Sequence, residues 1–153
     1  SLNKFFDLVE LKYGVRVAIA AHPSTNIEID VFNKRPVFRL LTAELVKDAE
    51  FVLLQHSTSL SHAVLNLKPC LFIYTDEMVN ENIESTAVVH TKRHAKYLDS
   101  PVYNVDQIYN GDQIVVRQPN FIHCNDYKYS FLTSKESENE LSQDIFLRNI
   151  NLI

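Results

Sequence analysis

The sequence predicts an α/β fold in which a Rossmann-like, doubly wound parallel sheet carries helices on both faces. Residues 15–21 and 51–55 are nearly continuous apolar runs rich in β-branched side chains, as expected of strands that are covered on both faces. Segments with apolar residues at helical spacing alternate with these runs. The strand–helix–strand segment over residues 51–74 has the pattern of a right-handed βαβ unit.

The chain opens with a predicted helix. Leu2, Phe5, Phe6 and Val9 recur at positions i, i+3, i+4 and i+7, which places them on one side of a helix. Gly14 follows where a helix commonly ends in a left-handed turn. We therefore expect this helix to pack its apolar side against the sheet.

The elements up to residue 74 alternate between strands and helices. Thr42 is expected to cap one helix, and Pro69 ends another before the strand that follows it. The pattern weakens after residue 78. The predicted strands are 15–21, 37–40, 51–55, 70–74, 102–105 and 113–117, and the later helices lie within 87–98, near 126–132 and at 141–150, after a polar loop at 134–139.

Bulk composition narrows the class of protein. The 153 residues have the length of a single domain, and 15 basic against 19 acidic side chains give a net charge of −4. No basic run is longer than Lys92-Arg93, so nucleic acid is not an expected partner. The first residues lack the basic-then-apolar pattern of a signal peptide, and no apolar run reaches about 18 residues, so we expect no transmembrane segment. Two cysteines without framework spacing indicate a cytoplasmic protein.

Two polar motifs follow the two strongest strands. His22-Pro23 ends the first, and Ser57, Thr58 and Ser59 lie between the second and the helix that begins at residue 60. Ligands of open α/β sheets bind at the carboxyl ends of the strands, and hydroxyls at a helix start suit an anion. The sequence therefore predicts a nucleotide phosphate site from these five residues. A helix cap and a strand-ending proline are the structural alternatives.

Other polar residues near the predicted strand ends are weaker candidates. Asp76 and Glu77 follow the strand at 70–74 and are candidate ribose contacts, although solvated loop carboxylates explain them equally well. Lys34 and Arg35 lie in a connecting segment and are candidates for neutralising phosphate.

Several chemistries are not predicted. Gly14 and Gly111 are the two glycines of the chain, so neither a dinucleotide-binding glycine turn nor a P-loop is present. His90 and His94 have the i, i+4 spacing of metal ligands, but no third ligand accompanies them in the sequence, and we expect no metal. We also expect no cofactor.

These motifs together resemble the C-terminal half of bacterial GT-B glycosyltransferases. The likeness covers about residues 3–78 and is greatest to sialyltransferase-like and capsule or lipopolysaccharide transferases, which carry an HP motif and a serine/threonine motif. The residues that carry it are His22-Pro23, Thr42-x-Glu44-Leu45-Val46-Lys47-x-Ala49, Ser57-Thr58-Ser59 and Asn66-x-Lys68-Pro69.

The resemblance implies a single Rossmann-like domain over residues 1–153 that binds a nucleotide-sugar donor, with CMP-sialic acid as one candidate. It implies that His22 contacts the phosphate or the nucleotide of the donor, and that Pro23 sets the loop that presents it. The hydroxyls of residues 57–59 would bind the phosphate, while the catalytic base lies on a preceding N-terminal Rossmann-like domain. Because the chain lacks an initiator Met and its last residues are still apolar, we expect a fragment of a two-domain protein that is inactive alone. A glycan acceptor and peripheral association of the full protein with a membrane are further expected.

Two alternatives stay open at this point. The same half-fold occurs in nucleotide-sugar epimerases and polyol-phosphate transferases, and preference for UDP or CDP over CMP would favour them. A non-catalytic nucleotide-binding or interaction domain, in which the motifs serve as caps and turns, is the third interpretation.

Overall fold

The computed structural model describes residues 1–22, 24, 31–80 and 83–150, with the backbone alone at 80, 83 and 84. The helices are α1 (Leu2–Tyr13), α2 (Thr42–Asp48), α3 (Leu60–Leu65), α4 (Thr86–Tyr97), α5 (Phe121–Tyr127) and α6 (Ser142–Ile150), and a π-helical segment at Lys128–Leu132 continues α5. The strands are β1 (Ile19–Ala21), β2 (Val37–Arg39), β3 (Val52–Leu54), β4 (Cys70–Tyr74), β5 (Val79–Asn80), β6 (Ile83–Glu84) and β7 (Val102–Asn104).

The strands form two parallel sheets and one short hairpin. β1 pairs with β2, while β4 lies between β3 and β7 in a three-stranded parallel sheet. β5 and β6 form an antiparallel pair that the sequence pattern did not predict. The mixed α/β class with parallel strands and helices is confirmed. Within the described residues the strands do not form one continuous hydrogen-bonded sheet.

β4 buries side chains on both of its faces. Leu71 and Ile73 belong to a core that includes residues of α1, which we call the α1 face. Cys70 and Phe72 belong to a second core with residues of α3, α4 and α5, which we call the α4 face. Alternate residues of a strand point to opposite sides of a sheet, so the three-stranded sheet has helices on both faces.

The α1 face confirms the predicted opening helix. Phe5, Phe6 and Val9 are buried, and Gly14 ends α1 with a positive φ of 65°. The margin of this face holds Arg35, whose guanidinium donates to Glu10 at 2.7 Å and also pairs with Asp7.

The expectation that Arg35 neutralises phosphate is therefore wrong. Its side chain is 6% exposed, and it stacks at 5.4 Å over the ring of Phe6. The guanidinium is satisfied by carboxylates of α1, and burial keeps it away from an external anion.

The predicted strand at 113–117 is absent, and residues Gly111–Gln113 form a 3₁₀ turn instead. Ile114 fills the α1 face, while the Tyr13 hydroxyl donates to its carbonyl at 3.0 Å. The Tyr103 hydroxyl accepts from the amide of Val115 at 2.8 Å. Side-chain hydroxyls thus replace the partner strand that a sheet would have supplied.

Of the last two helices, α5 starts several residues before the predicted position. α5 begins at Phe121 because the Asn120 side chain accepts from the amides of Ile122 and His123. The predicted helix at 141–150 is present as α6. No helix among the described residues is long and apolar enough to span a bilayer.

Candidate functional site

The residues that follow β1 present an imidazole to solvent. His22 is exposed, and its Nδ1 lies 2.8 Å from the Ser24 hydroxyl oxygen. The backbone amide of Ser24 donates to the same nitrogen at 3.3 Å. Since Nδ1 accepts from an amide, Nε2 is the nitrogen that carries the proton and can donate to a ligand. Pro23 lies outside the described residues.

The turn between β3 and α3 holds the three predicted hydroxyls. Ser57 donates to Ser59 Oγ at 2.9 Å, and the Ser59 amide donates back to Ser57 Oγ at 3.1 Å. Thr58 is exposed between them. Ser59 occupies the N-cap position of α3 without a side-chain cap bond.

The first amides of α3 donate within the turn itself. Leu60 N–H donates to the Ser57 carbonyl at 3.3 Å, and Ser61 N–H donates to the Thr58 carbonyl at 3.1 Å. The helix has six residues, so its dipole is small. An anion at this turn would therefore be bound mainly by hydroxyl groups.

Asp76 and Glu77 lie in a 3₁₀ turn directly after β4, and both are exposed. Asp76 Oδ1 accepts from Asn104 Nδ2 at 2.6 Å, and the Asp76 amide donates to Asp106 Oδ2 at 2.8 Å. Asn104, the last residue of β7, is buried. The Asp76 carboxylate is therefore held in place at the ends of two neighbouring strands.

Parallel pairing places the ends of β3, β4 and β7 at one edge of the three-stranded sheet. We call this the carboxyl edge. Ser57, Asp76 and Asn104 follow or end its three strands. His22 follows β1 in the two-stranded sheet.

The structure also brings together three histidines at the turn after β3. The rings of His56 and His90 stack with centroids 5.0 Å apart and planes inclined by 27°. His94 lies 6.5 Å from His56 and 6.3 Å from His90. We call these three side chains the histidine cluster. The i, i+4 pair on α4 was visible in the sequence, but nothing in the sequence indicated that His56 joins it.

His94 is the most enclosed member of the cluster. Its Nδ1 is buried and has no hydrogen-bond partner among the described residues. Burial lowers the pKa of His94 from its ordinary value, and the neighbouring His56 and His90 lower it further. The surroundings of His94 therefore favour its neutral form.

The next question is whether the histidine cluster can bind a metal ion and whether either cysteine can act as a nucleophile. No group of three or more His, Cys, Asp or Glu residues in the described part of the chain is arranged to hold a metal ion. Burial raises the pKa of Cys70 to about 12, with a further contribution from Cys124, whose own pKa burial also raises. Neither thiol is a thiolate at neutral pH, so neither acts as a nucleophile.

Comparison with known proteins found no matching family model, no matching curated protein and no matching solved structure.

Proposed function

We propose that this domain binds a nucleotide sugar as the donor-binding half of a glycosyltransferase of surface polysaccharide synthesis, within a Rossmann-like doubly wound half-domain of the GT-B type. The observation that carries the proposal is the carboxyl edge, where Ser57, Asp76 and Asn104 follow or end three parallel strands. In sheets of this class, ligands bind outside the carboxyl ends of the strands.

The turn after β3 supplies the proposed phosphate contacts. Ser57 and Ser59 are half-buried and already share a hydrogen bond, so their hydroxyl oxygens lie 2.9 Å apart. On ligand binding, both hydroxyls can rotate to donate to phosphate oxygens. Thr58, which is exposed beside them, offers a third hydroxyl.

His22 has a separate role in this proposal. Its Nδ1 is occupied by Ser24, which orients the ring and leaves Nε2–H to donate outward. This Nε2–H donates to the departing nucleotide phosphate and stabilises the charge that develops there. The catalytic base belongs to a second domain, so binding rather than sugar transfer is the activity expected of residues 1–153.

Asp76 is the proposed ribose contact. Asn104 holds one carboxylate oxygen, and this bond fixes the orientation of the group at the carboxyl edge. A fixed carboxylate accepts from a pair of ribose hydroxyls at a smaller entropic cost than a mobile one. Glu77, which is exposed next to it, is the second candidate.

The direct test is calorimetric titration of this chain with CMP, CDP and UDP at millimolar concentration. We expect CMP to bind and His22→Ala to weaken it by about 1–3 kcal/mol, because a charge-assisted hydrogen bond is lost. Ser57→Ala combined with Ser59→Ala should also weaken binding. Ser61→Ala, which removes a hydroxyl of α3 beyond the turn, is the matched control.

The outcomes separate the competing functions. Preference for CDP or UDP indicates an epimerase-like or polyol-phosphate-transferase half-domain instead. If none of the three nucleotides binds, the hydrogen bond between Ser57 and Ser59 only stabilises the turn, and the proposal is wrong.

A further inference from the structure

The histidine cluster joins two elements that are distant in the sequence. His56 follows β3 and lies in the same turn as Ser57, whereas His90 and His94 lie one helical turn apart on α4. The rings meet at 5.0–6.5 Å, so contact between these imidazoles links the turn to the helix. We propose that the histidine cluster is a proton-sensitive contact, which packs α4 against the turn after β3 at neutral pH and loosens when the imidazoles are protonated.

Stacked imidazoles pack well only while they are mostly uncharged. Protonation of two neighbouring rings places like charges within 6.5 Å, and the low dielectric constant of a partly buried site weakens their screening. His94 is the sensitive member because its Nδ1 is buried without a partner, so a proton gained there has no acceptor among the described residues. Its lowered pKa is consistent with this geometry.

Among the described side chains, no carboxylate forms an ion pair with a histidine of the cluster. His94 faces His56 from the turn, His90 from its own helix and, in a T-shaped arrangement with centroids 6.4 Å apart, the Tyr127 ring from α5. The carboxylate of α5, Asp126, accepts a hydrogen bond from Tyr97. Further titratable side chains on the elements packed against α4 are His123 and Cys124 of α5, Cys70 and Tyr74 of β4, Tyr103 of β7, and Lys128 and Tyr129 of the π-helical segment, whose Phe131 contacts Tyr97. On α4 itself, Arg93 and Lys96 are further cations, and Lys92 lies over the Tyr74 ring. The side chain of residue 84 of β6 lies outside the described ones.

The direction of the pH effect follows from the lowered pKa of His94. The unfolded or detached imidazole takes up a proton near its ordinary pKa of 6.5, whereas the packed one resists protonation to lower pH. The contact is therefore fully stabilising above pH 6.5 and is lost as the pH falls below that value. Since His56 adjoins Ser57, the same change would disturb the candidate phosphate turn, a consequence that rests on the proposed function.

The test uses the ligand-free chain, so its outcome does not depend on whether a nucleotide binds. The ring Cε1–H signals of the six histidines are followed by NMR between pH 8.5 and 5. We expect the His94 midpoint to lie below 6.5 and to rise in His56→Gln. His62→Gln, which alters a histidine of α3 outside the cluster, should leave that midpoint unchanged. A His94 midpoint that does not respond to His56→Gln overturns the proposal.

Amide hydrogen exchange supplies the readout of packing. After correction for the intrinsic pH dependence of exchange, protection of α4 should fall between pH 7.5 and 5.5 in the unaltered chain and in His62→Gln. In His94→Phe, whose ring cannot be protonated, α4 should lose less protection over this range, because only the His56–His90 pair remains. If His94→Phe does not fold, His56→Gln, which alters an exposed side chain, takes its place. In this variant α4 should lose less protection than in the unaltered chain. Equal loss of protection in every variant contradicts the proposed contact.

Discussion

The two faces of β4 differ in the kind of side chain that surrounds their apolar cores. On the α1 face, Leu71 and Ile73 pack with aromatic and aliphatic residues, and the charged Arg35 at the margin is fully paired. On the α4 face, Cys70 and Phe72 pack with leucine, valine and alanine side chains, with the Cys124 thiol and with two partly buried tyrosines. The histidine cluster links α4 of this face to the turn after β3.

This difference predicts that acid affects the two faces in separate pH ranges. The bond from Arg35 lowers the pKa of Glu10 below its ordinary 4.5, so the pair at the α1 face is lost only in stronger acid. The lowered pKa of His94 makes the α4 face respond below pH 6.5. The face that adjoins the candidate site is therefore the one that responds near neutral pH.

Truncating the buried side chains of β4 should have the largest effects. Phe72→Ala should lower the free energy of unfolding by about 3–5 kcal/mol and Leu71→Ala by about 2–5 kcal/mol, because each leaves a cavity in a packed core. Both side chains are fully buried, whereas Leu11 is 84% exposed and Leu11→Ala should change the free energy by no more than about 0.5 kcal/mol. Urea unfolding measures all three, and an effect at only one face would show that β4 is not shared between two cores.

Arg35→Met should have the next largest effect. Losing the guanidinium leaves Glu10 and Asp7 without their partner, and we expect a loss of about 1–3 kcal/mol, because the two carboxylates are 25% and 61% exposed and solvent offsets part of the penalty. Arg117→Met, which removes an exposed arginine 4.0 Å from Asp99, is the matched control. It should change the free energy of unfolding by less than about 1 kcal/mol.

The same variant tests the pH range of the α1 face. Because the pKa of Glu10 is lowered in the folded chain, its contribution is present above pH 4.5 and is lost as the pH falls through the folded pKa. In Arg35→Met the pKa of Glu10 should return toward 4.5, so unfolding below that pH should become less dependent on pH. If the free energy of unfolding falls as steeply below pH 4.5 in Arg35→Met as in the unaltered chain, Arg35 does not determine the pH dependence of this face.

The opening helix of the α1 face was predictable from the sequence. The apolar stripe of Leu2, Phe5, Phe6 and Val9 depends on local spacing alone, and the helix that it predicted is present. The predicted phosphate role of Arg35 was wrong because its side chain pairs with two carboxylates of α1. The spacing of apolar residues in α1 does not indicate which distant cation binds these carboxylates.

The candidate site was predictable only in part. The motifs at 22–23 and 57–59 were visible because each follows a strongly apolar strand, and their proposed ligand contacts stay predictions. The histidine cluster could not be predicted, because it depends on how α4 packs beside the end of β3. The strand predicted at 113–117 also depended on unseen tertiary contacts. Ile114 is buried as a strand residue would be, but tyrosine hydroxyls bind the backbone of this segment where a strand would have a partner strand.

The smallest predicted effects compare the ends of the two covering helices. Ser85 caps α4 by accepting from the Val88 amide, and Ser85→Ala should lower the free energy of unfolding by about 1 kcal/mol. Gly14 ends α1 at a φ of 65°, and Gly14→Ala should lower it by about 1–2 kcal/mol because a β-carbon is strained there. Ser85→Asp and Gly14→Asn, which retain a cap acceptor and tolerance of positive φ, should restore most of each loss. If Ser85→Asp is no more stable than Ser85→Ala, the start of α4 is held by packing on the α4 face and not by its cap.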